Sequence, residues 1–326
     1  MKVLVTGGAG YIGSVVTQRL VEGGHDVTVL DNLSFGWREA IHPQAAFVKG
    51  DLLDRPFVEK TLAGGKYDAV VHLAAEVRVG VSVEEPGLCY RQNVVAGINL
   101  LDAMIAADCR RIVFSSTAAV YGEPEEIPIT EHASLEPVNP YGQTKLDFER
   151  ALRWYRHAHG LKHIALRYFN ACGATEKYGE YRRKESHIIP LLLEVALGKR
   201  EGFKIFGTDY DTPDGTCVRD YVHVSDIARA HVLGLEQIDR LEADVFNMGN
   251  GTGFTNRQVI DTVREVTGRD IPAADAPRRA GDPARLVASG EKARQILGWS
   301  PEYPDLRSMV QTAWDWRQAH PDGYNQ

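Results

Sequence analysis

The strongest constraint on the fold lies near the N-terminal end. The β-branched run Val3-Leu4-Val5 passes at once into Thr6-Gly7-Gly8-Ala9-Gly10-Tyr11-Ile12-Gly13. From Tyr11 to Glu22 the apolar residues Ile12, Val15, Val16 and Leu20 recur at helical spacing, and Gly23-Gly24 ends the run. A strand that feeds a helix through closely spaced glycines is the opening of a parallel βαβ unit, because glycine alone permits so tight a turn.

The first half of the chain repeats this alternation. Val27 to Leu30, Ala46 to Val48, Ala69 to Leu73, Arg111 to Ser115 and His163 to Tyr168 read as further strands. Asn93 to Ala107 reads as a helix, and Pro140 opens another that runs to about His157. The predicted class is α/β: a doubly wound parallel sheet of the Rossmann type with a smaller C-terminal α/β lobe.

After Asn170 the rhythm changes. Gly173 to Glu185 is polar with few apolar anchors and is predicted to cross to the second lobe, with Arg182-Arg183-Lys184 as a solvated loop. Beyond it the pattern predicts a helix over 188–197 and strands over 203–206 and 218–224. A helix capped by Ser225-Asp226 follows, then a strand over 244–247 that returns to the main sheet. Helices are predicted around 256–266, 291–297 and 306–316. The expected division is 1–170, with returning segments near 222–250, for a nucleotide-binding domain and 171–326 for a substrate lobe.

Composition narrows the functional classes. With 326 residues, 44% hydrophobic and 25% charged, the chain can bury a large core unaided. A net charge of -7 argues against nucleic-acid binding, which needs clustered cations. Cys89, Cys109, Cys172 and Cys217 are widely separated, so neither a disulfide scaffold nor a metal site is expected. His157 and His159, two positions apart on a helix, point in different directions and read as surface residues. No run approaches the length of a membrane span and no signal segment is apparent, so a cytoplasmic setting is expected.

The glycine turn fits G-x-G-x-x-G, with Gly7, Gly10 and Gly13 in an overlapping frame and Tyr11-Ile12 opening the helix. The helix N-terminus would present free N–H groups to a pyrophosphate. Asp31, at the end of the second strand, can accept from both ribose hydroxyls and would repel a 2′-phosphate, which favours NAD over NADP. Asn32 adjoins it. Asp51, beside Leu52 at the end of the third strand, reads equally as an adenine contact or a turn residue. Leu73-Ala74-Ala75 ends the fourth strand with side chains small enough for a cofactor to pass.

Tyr141-Gly142-Gln143-Thr144-Lys145 places a phenol and an ammonium on one helix face. Lowering a tyrosine from about 10 to about 7 requires roughly 4 kcal/mol. One ammonium at about 4 Å is worth a similar amount at an effective dielectric near 20; the positive nicotinamide of NAD would add to this, while burial would oppose it. Thr117, ending Ser115-Ser116-Thr117, is the predicted hydroxyl between substrate and tyrosine.

Together these motifs resemble the extended short-chain dehydrogenase/reductase family. Tyr168-Phe169-Asn170, Ile205 to Tyr210, Asp214 to Val224 and Arg278-Arg279-Ala280-Gly281-Asp282 are similar, within it, to the UDP-glucose 4-epimerases. The resemblance implies a UDP-sugar substrate, tightly bound NAD, a transient 4-keto sugar, a role in galactose metabolism and a homodimer. It implies that Ser115, Tyr168 and Asn93 join the cofactor set. It also implies that Asn170, His187, Ile188, Phe206, Arg219, Arg279 and Asp282 meet the UDP-sugar. Val77 stands where some relatives have a cofactor-touching lysine, with Arg78 beside it open as a replacement, and Leu286 where the sugar C2 substituent is limited. UDP-uronates and UDP-N-acetylhexosamines stay open as substrates, as does a non-catalytic NAD-sensing role. A 4,6-dehydratase is disfavoured, because Ala118-Ala119 follows Thr117 where that chemistry needs an acid and a base.

Overall fold

The computed structural model describes residues 1–183, 185–279 and 282–324. Lys184, Ala280 and Gly281, named above, lie outside the described residues. The first unit is β1 (Lys2–Thr6), α1 (Tyr11–Glu22), β2 (Asp26–Asp31) and β3 (Ala46–Lys49). There follow α2 (Arg55–Gly65), β4 (Ala69–His72), α3 (Val79–Glu84), α4 (Pro86–Tyr90), α5 (Ala96–Ala106) and β5 (Arg111–Thr117). Then come α6 (Pro140–His159), β6 (Lys162–Tyr168) and the short β7 (Asn170–Cys172).

Residue type explains why these strands are buried on both faces. Val3 and Val5 of β1 pack into one core cluster and Leu4 into the other. Val113 and Ile112 of β5 divide in the same way, as do Ile164 and Ala165 of β6. Helix α6 starts where Asn139 accepts from the Gly142 N–H at 2.9 Å with Pro140 in the first turn, and it ends at left-handed Gly160.

The remainder comprises α7 (Ile188–Ala196), β8 (Phe203–Phe206), β9 (Val218–His223), α8 (Val224–Leu241), β10 (Ala243–Met248), β11 (Gly253–Thr255), α9 (Asn256–Thr267), β12 (Ala273–Ala276), β13 (Arg285–Leu286) and α10 (Leu306–Ala319). The seven-stranded parallel sheet runs β10-β6-β5-β4-β1-β2-β3. Strand order reverses between β1 and β4, which opens the crevice where ligands of such sheets bind. Strand β9 carries β11 antiparallel and both β7 and β13 parallel, while β8 pairs with β12. No helix among the described residues is long and apolar enough to cross a membrane.

Three local expectations are corrected. Helix α8 is capped by His223, whose ring accepts from the Ser225 N–H at 3.1 Å, two residues before the expected Ser225. The Asp226 carboxylate instead accepts from the N–H groups of Glu302 (2.8 Å) and Tyr303 (3.1 Å). The helix expected from Asn93 begins as a wider π-type turn over Arg91–Val95 before α5. Finally, the segment 173–183 is anchored. Tyr178 and Ala174 are buried, Tyr11 donates to the Gly173 carbonyl at 2.6 Å, and Trp37 donates to that of Tyr181 at 2.9 Å. Its anchors are few and irregularly spaced, and two are backbone carbonyls, so they match no helical or strand period.

Candidate functional site

A cavity of about 830 Å³ begins at the β1–β4 crevice and extends to β8 and β9. Its floor is the glycine turn. Gly7 is left-handed (φ 75°), and a Cβ there would lie 2.6 Å from the Ala74 nitrogen. A Cβ on Gly13 would lie 2.1 Å from the Gly7 carbonyl oxygen. The turn therefore rests on the end of β4 with no side chain between. Helix α1 has no side-chain cap at Gly10, so its first turn faces the cavity with unsatisfied N–H groups, and Tyr11 and Ile12 line the same wall.

Asp31 closes one side. Its oxygens accept from the N–H groups of Ala9 (3.1 Å) and Leu33 (2.8 Å). Burial raises its pKa against those two bonds. Each oxygen keeps a second lone pair, and the residue lines the cavity. Asn32 donates to Asp51 at 2.9 Å, and Asp51 also accepts from the Leu53 N–H at 2.9 Å. Asp51 is thus a turn residue and a lining residue at once, with Leu52 beside it. Leu73, Ala74 and Ala75 form the opposite rim.

The carboxyl end of β5 and the start of α6 bring the reactive side chains together. Thr117, Ser115, Tyr141 and Tyr168 all line the cavity, and the Ser115 and Tyr168 hydroxyls are hydrogen-bonded to each other. Burial pushes the Tyr141 phenol up to about 12, with the Thr117 hydroxyl acting the other way. Lys145 is buried, donates to the Ser115 carbonyl at 2.8 Å, and stands 6.0 Å from the centre of the Tyr141 ring. Burial pushes its ammonium down to about 7, opposed by Cys89 and Glu149. Burial thus opposes the acidification expected from the neighbouring ammonium. In this geometry desolvation governs both groups and drives both toward neutrality.

At the far end Arg279 covers the Phe206 ring at 3.9 Å. Arg219 donates to the carbonyls of Val218 (2.9 Å) and Pro283 (2.8 Å) and lies 3.7 Å from an Asp282 oxygen. Asn170 donates to the Asp220 carbonyl at 3.1 Å. His187, next to Ile188, pairs with Glu180 at 2.7 Å. Asn170, His187, Ile188, Phe206, Arg219, Arg279 and Asp282 all line the cavity, with Glu180 and Asp220 behind them.

Two residues of the expected set lie outside the lining. Lys145 sits beneath it, as described. Asn93 is buried, accepts from the Glu76 N–H (2.7 Å), and donates to the Glu76 carbonyl (3.0 Å) and the Thr144 hydroxyl (2.9 Å). It fixes the loop after β4 to α6 rather than facing the cleft.

Sequence reasoning missed several cavity residues. Arg182, expected in a solvated loop, is a wall residue that donates to Glu180 at 2.7 Å. Burial alone would raise the Glu180 carboxyl, but His187 and Arg182 hold it down at about 2. Phe35 and Glu76, also unexpected, form the rim near the glycine turn together with Arg78, the neighbour of Val77. The alternation Glu76-Val77-Arg78 was the available signal, since residues two apart on extended chain share a side.

The sequence profile of the NAD dependent epimerase/dehydratase family matches residues 3–249. A UDP-glucose 4-epimerase of Corynebacterium glutamicum is 52% identical, over 99% of this chain and 97% of that relative. A crystal structure of UDP-glucose 4-epimerase from Brucella ovis in complex with NAD is 42% identical with a TM-score of 0.93, covering 96% of this chain and 97% of that one. The Bifidobacterium longum enzyme in complex with NAD+ and UDP is 36% identical with a TM-score of 0.95, covering 99% and 100%.

Proposed function

Because the chain belongs to the NAD dependent epimerase/dehydratase family, we propose that it interconverts UDP-galactose and UDP-glucose by inversion at C4, with NAD as a resident cofactor. The observation that carries this reading is the continuity of one cavity. The glycine turn, Tyr141 with Thr117, and Phe206 with Arg219 and Arg279 all open into it.

The residues fit a dinucleotide. The turn packs backbone on backbone with no room for a Cβ at Gly7 or Gly13, which keeps it flat beneath the cavity, and an uncapped helix end and a two-oxygen acceptor flank it. Gly7, Gly10, Tyr11, Ile12 and Gly13 would hold the pyrophosphate, Asp31 and Asn32 the adenosine ribose, and Asp51 and Leu52 the adenine. NAD held there would supply a hydride acceptor and donor for the sugar C4.

The protein's own groups do the rest. Tyr141 takes the proton of the C4 hydroxyl and gives it back, and Thr117 shares that proton's hydrogen bond. Burial opposes a phenolate at Tyr141, and the positive charge of bound NAD would act with Lys145 in its favour. The guanidinium groups of Arg219 and Arg279 match a diphosphate, Phe206 offers a ring to the uracil, and Asp282 offers acceptors to the ribose. An anchored nucleotide and a loosely held sugar let the 4-keto ring turn over between the two transfers.

A pair of chains is part of the same reading. Val83, Tyr90 and Val95 are exposed on elements packed about α6, which itself exposes 71% of Trp154. A second copy of this face would cover them.

The test is incubation with UDP-galactose and no added cofactor. UDP-glucose should form, and NAD should appear on denaturation. Folded protein that gives no interconversion refutes the reading. Tyr141→Phe should lower turnover by about 10²–10⁴-fold while UDP binding persists.

A further inference from the structure

We propose that Phe35 and Arg78 form a clasp across the mouth of the cofactor channel that must part for NAD to leave. The inference rests on NAD occupying the glycine cradle. The two residues come from loops on opposite sides of that cradle, after β2 and after β4, and both line the cavity. The Arg78 guanidinium lies 4.6 Å from the centre of the Phe35 ring.

Each half is fixed from below. On the β2 side, Trp37 donates its backbone N–H to the Ala9 carbonyl at 3.0 Å. A Cβ on Gly36 would lie 2.7 Å from that of Ala9, so the loop lies directly on the glycine turn. Asp31 and Asn32 tie down the backbone of Leu33 (2.8 Å) and Ser34 (2.9 Å). On the β4 side, Glu76 accepts from Arg78 through Nε (2.9 Å), Nη2 (2.6 Å) and the backbone N–H (2.9 Å). Asn93 holds the Glu76 backbone in turn. The guanidinium is therefore set in one orientation before it meets the ring.

The ring itself is 49% exposed and belongs to none of the buried core clusters. An exposed phenylalanine with a pre-oriented cation over it, at the rim of a deep cleft, does little for the core. It bridges two otherwise separate rims. A cation–π contact of this kind gives a modest barrier, enough to slow release without preventing loading.

The experiment uses the NAD-loaded protein and measures loss of bound NAD after dilution into an NAD-consuming trap. Phe35→Ala should release NAD roughly two- to five-fold faster than wild type. Phe35→Tyr, which keeps the aromatic face, should match wild type. Wild-type release from Phe35→Ala, with circular dichroism unchanged, overturns the clasp. So does equally rapid release from Phe35→Tyr. Wild-type protein that carries no NAD at all would instead strike at the functional reading itself, a separate result visible before any variant is made.

Discussion

Glu149 and Arg167 offer the sharpest test of how the reactive helix is held. Glu149 lies on α6 one turn beyond Lys145 and two beyond Tyr141, and Arg167 lies on β6. The guanidinium donates to the two carboxylate oxygens at 2.9 and 2.6 Å, and the side chains are 1% and 4% exposed. Ser116 adds a bond to Glu149 at 2.5 Å, and Arg167 reaches the Tyr121 hydroxyl at 2.9 Å. Glu149→Leu would leave a guanidinium buried without its anion, and breaking a buried pair in this way costs about 3–5 kcal/mol. Replacing both charges by apolar groups of similar size is often near neutral, because the desolvation of two ions is removed along with their attraction. Glu149→Leu/Arg167→Met should therefore be more stable than Glu149→Leu alone, by about 2 kcal/mol or more. Urea denaturation followed by circular dichroism, with NAD saturating, gives both differences. A single variant that loses under about 1 kcal/mol, or a double variant less stable than the single, refutes the reasoning. The single variant should also lose kcat more than it raises KM, since α6 carries Tyr141 while the nucleotide contacts lie on other elements.

Two further outcomes follow from the charges of the site. Burial takes Lys145 from 10.5 down to about 7, so its folded value lies below its unfolded one. Its destabilising contribution is then full below pH 7 and fades as the pH rises toward 10.5. Lys145→Met should raise the melting temperature of NAD-free protein at pH 6, by a margin that shrinks at pH 9, while turnover is lost; a lower melting temperature at pH 6 contradicts this. Glu180 is the opposite case, held at about 2 against an ordinary 4.5. Its contribution is full above pH 4.5 and is lost as the pH falls through 2. Glu180→Gln should be less stable than wild type at pH 6 and should show a flatter loss of stability between pH 4.5 and 2. Parallel melting curves over that window would exclude the ion pairs as the cause.

What was legible in the sequence follows the range of the interactions involved. Tyr11–Glu22 and Phe203–Phe206 fall on their predicted bounds, because a helix stripe and an apolar strand are set by neighbours in sequence. Helix α2 escaped notice although Asp54 caps it, accepting from the Phe57 N–H at 3.2 Å with Pro56 in the first turn. Its apolar stripe is thin, with only Val58 and Leu62 buried. The two-residue β13 and the three-residue β7 and β11 exist only through β9, so no local pattern announces them. The site divides along the same line. Gly7, Asp31, Thr117 and Tyr141 sit at strand ends or on a helix start, where topology alone brings them to one crevice. The Tyr141–Lys145 spacing reports a shared helix face, but not that the ammonium turns to the Ser115 carbonyl. Asn93 likewise bonds Glu76 and Thr144 behind the lining, a partnership the sequence does not announce, because an amide in a sequence does not say whether it will face a cleft or a backbone. Phe35 and Arg78 meet only after β3, α2 and β4 have folded between them. A contact of that kind depends on the packing of three intervening elements, and it is where sequence reasoning should be expected to stop and structure to begin.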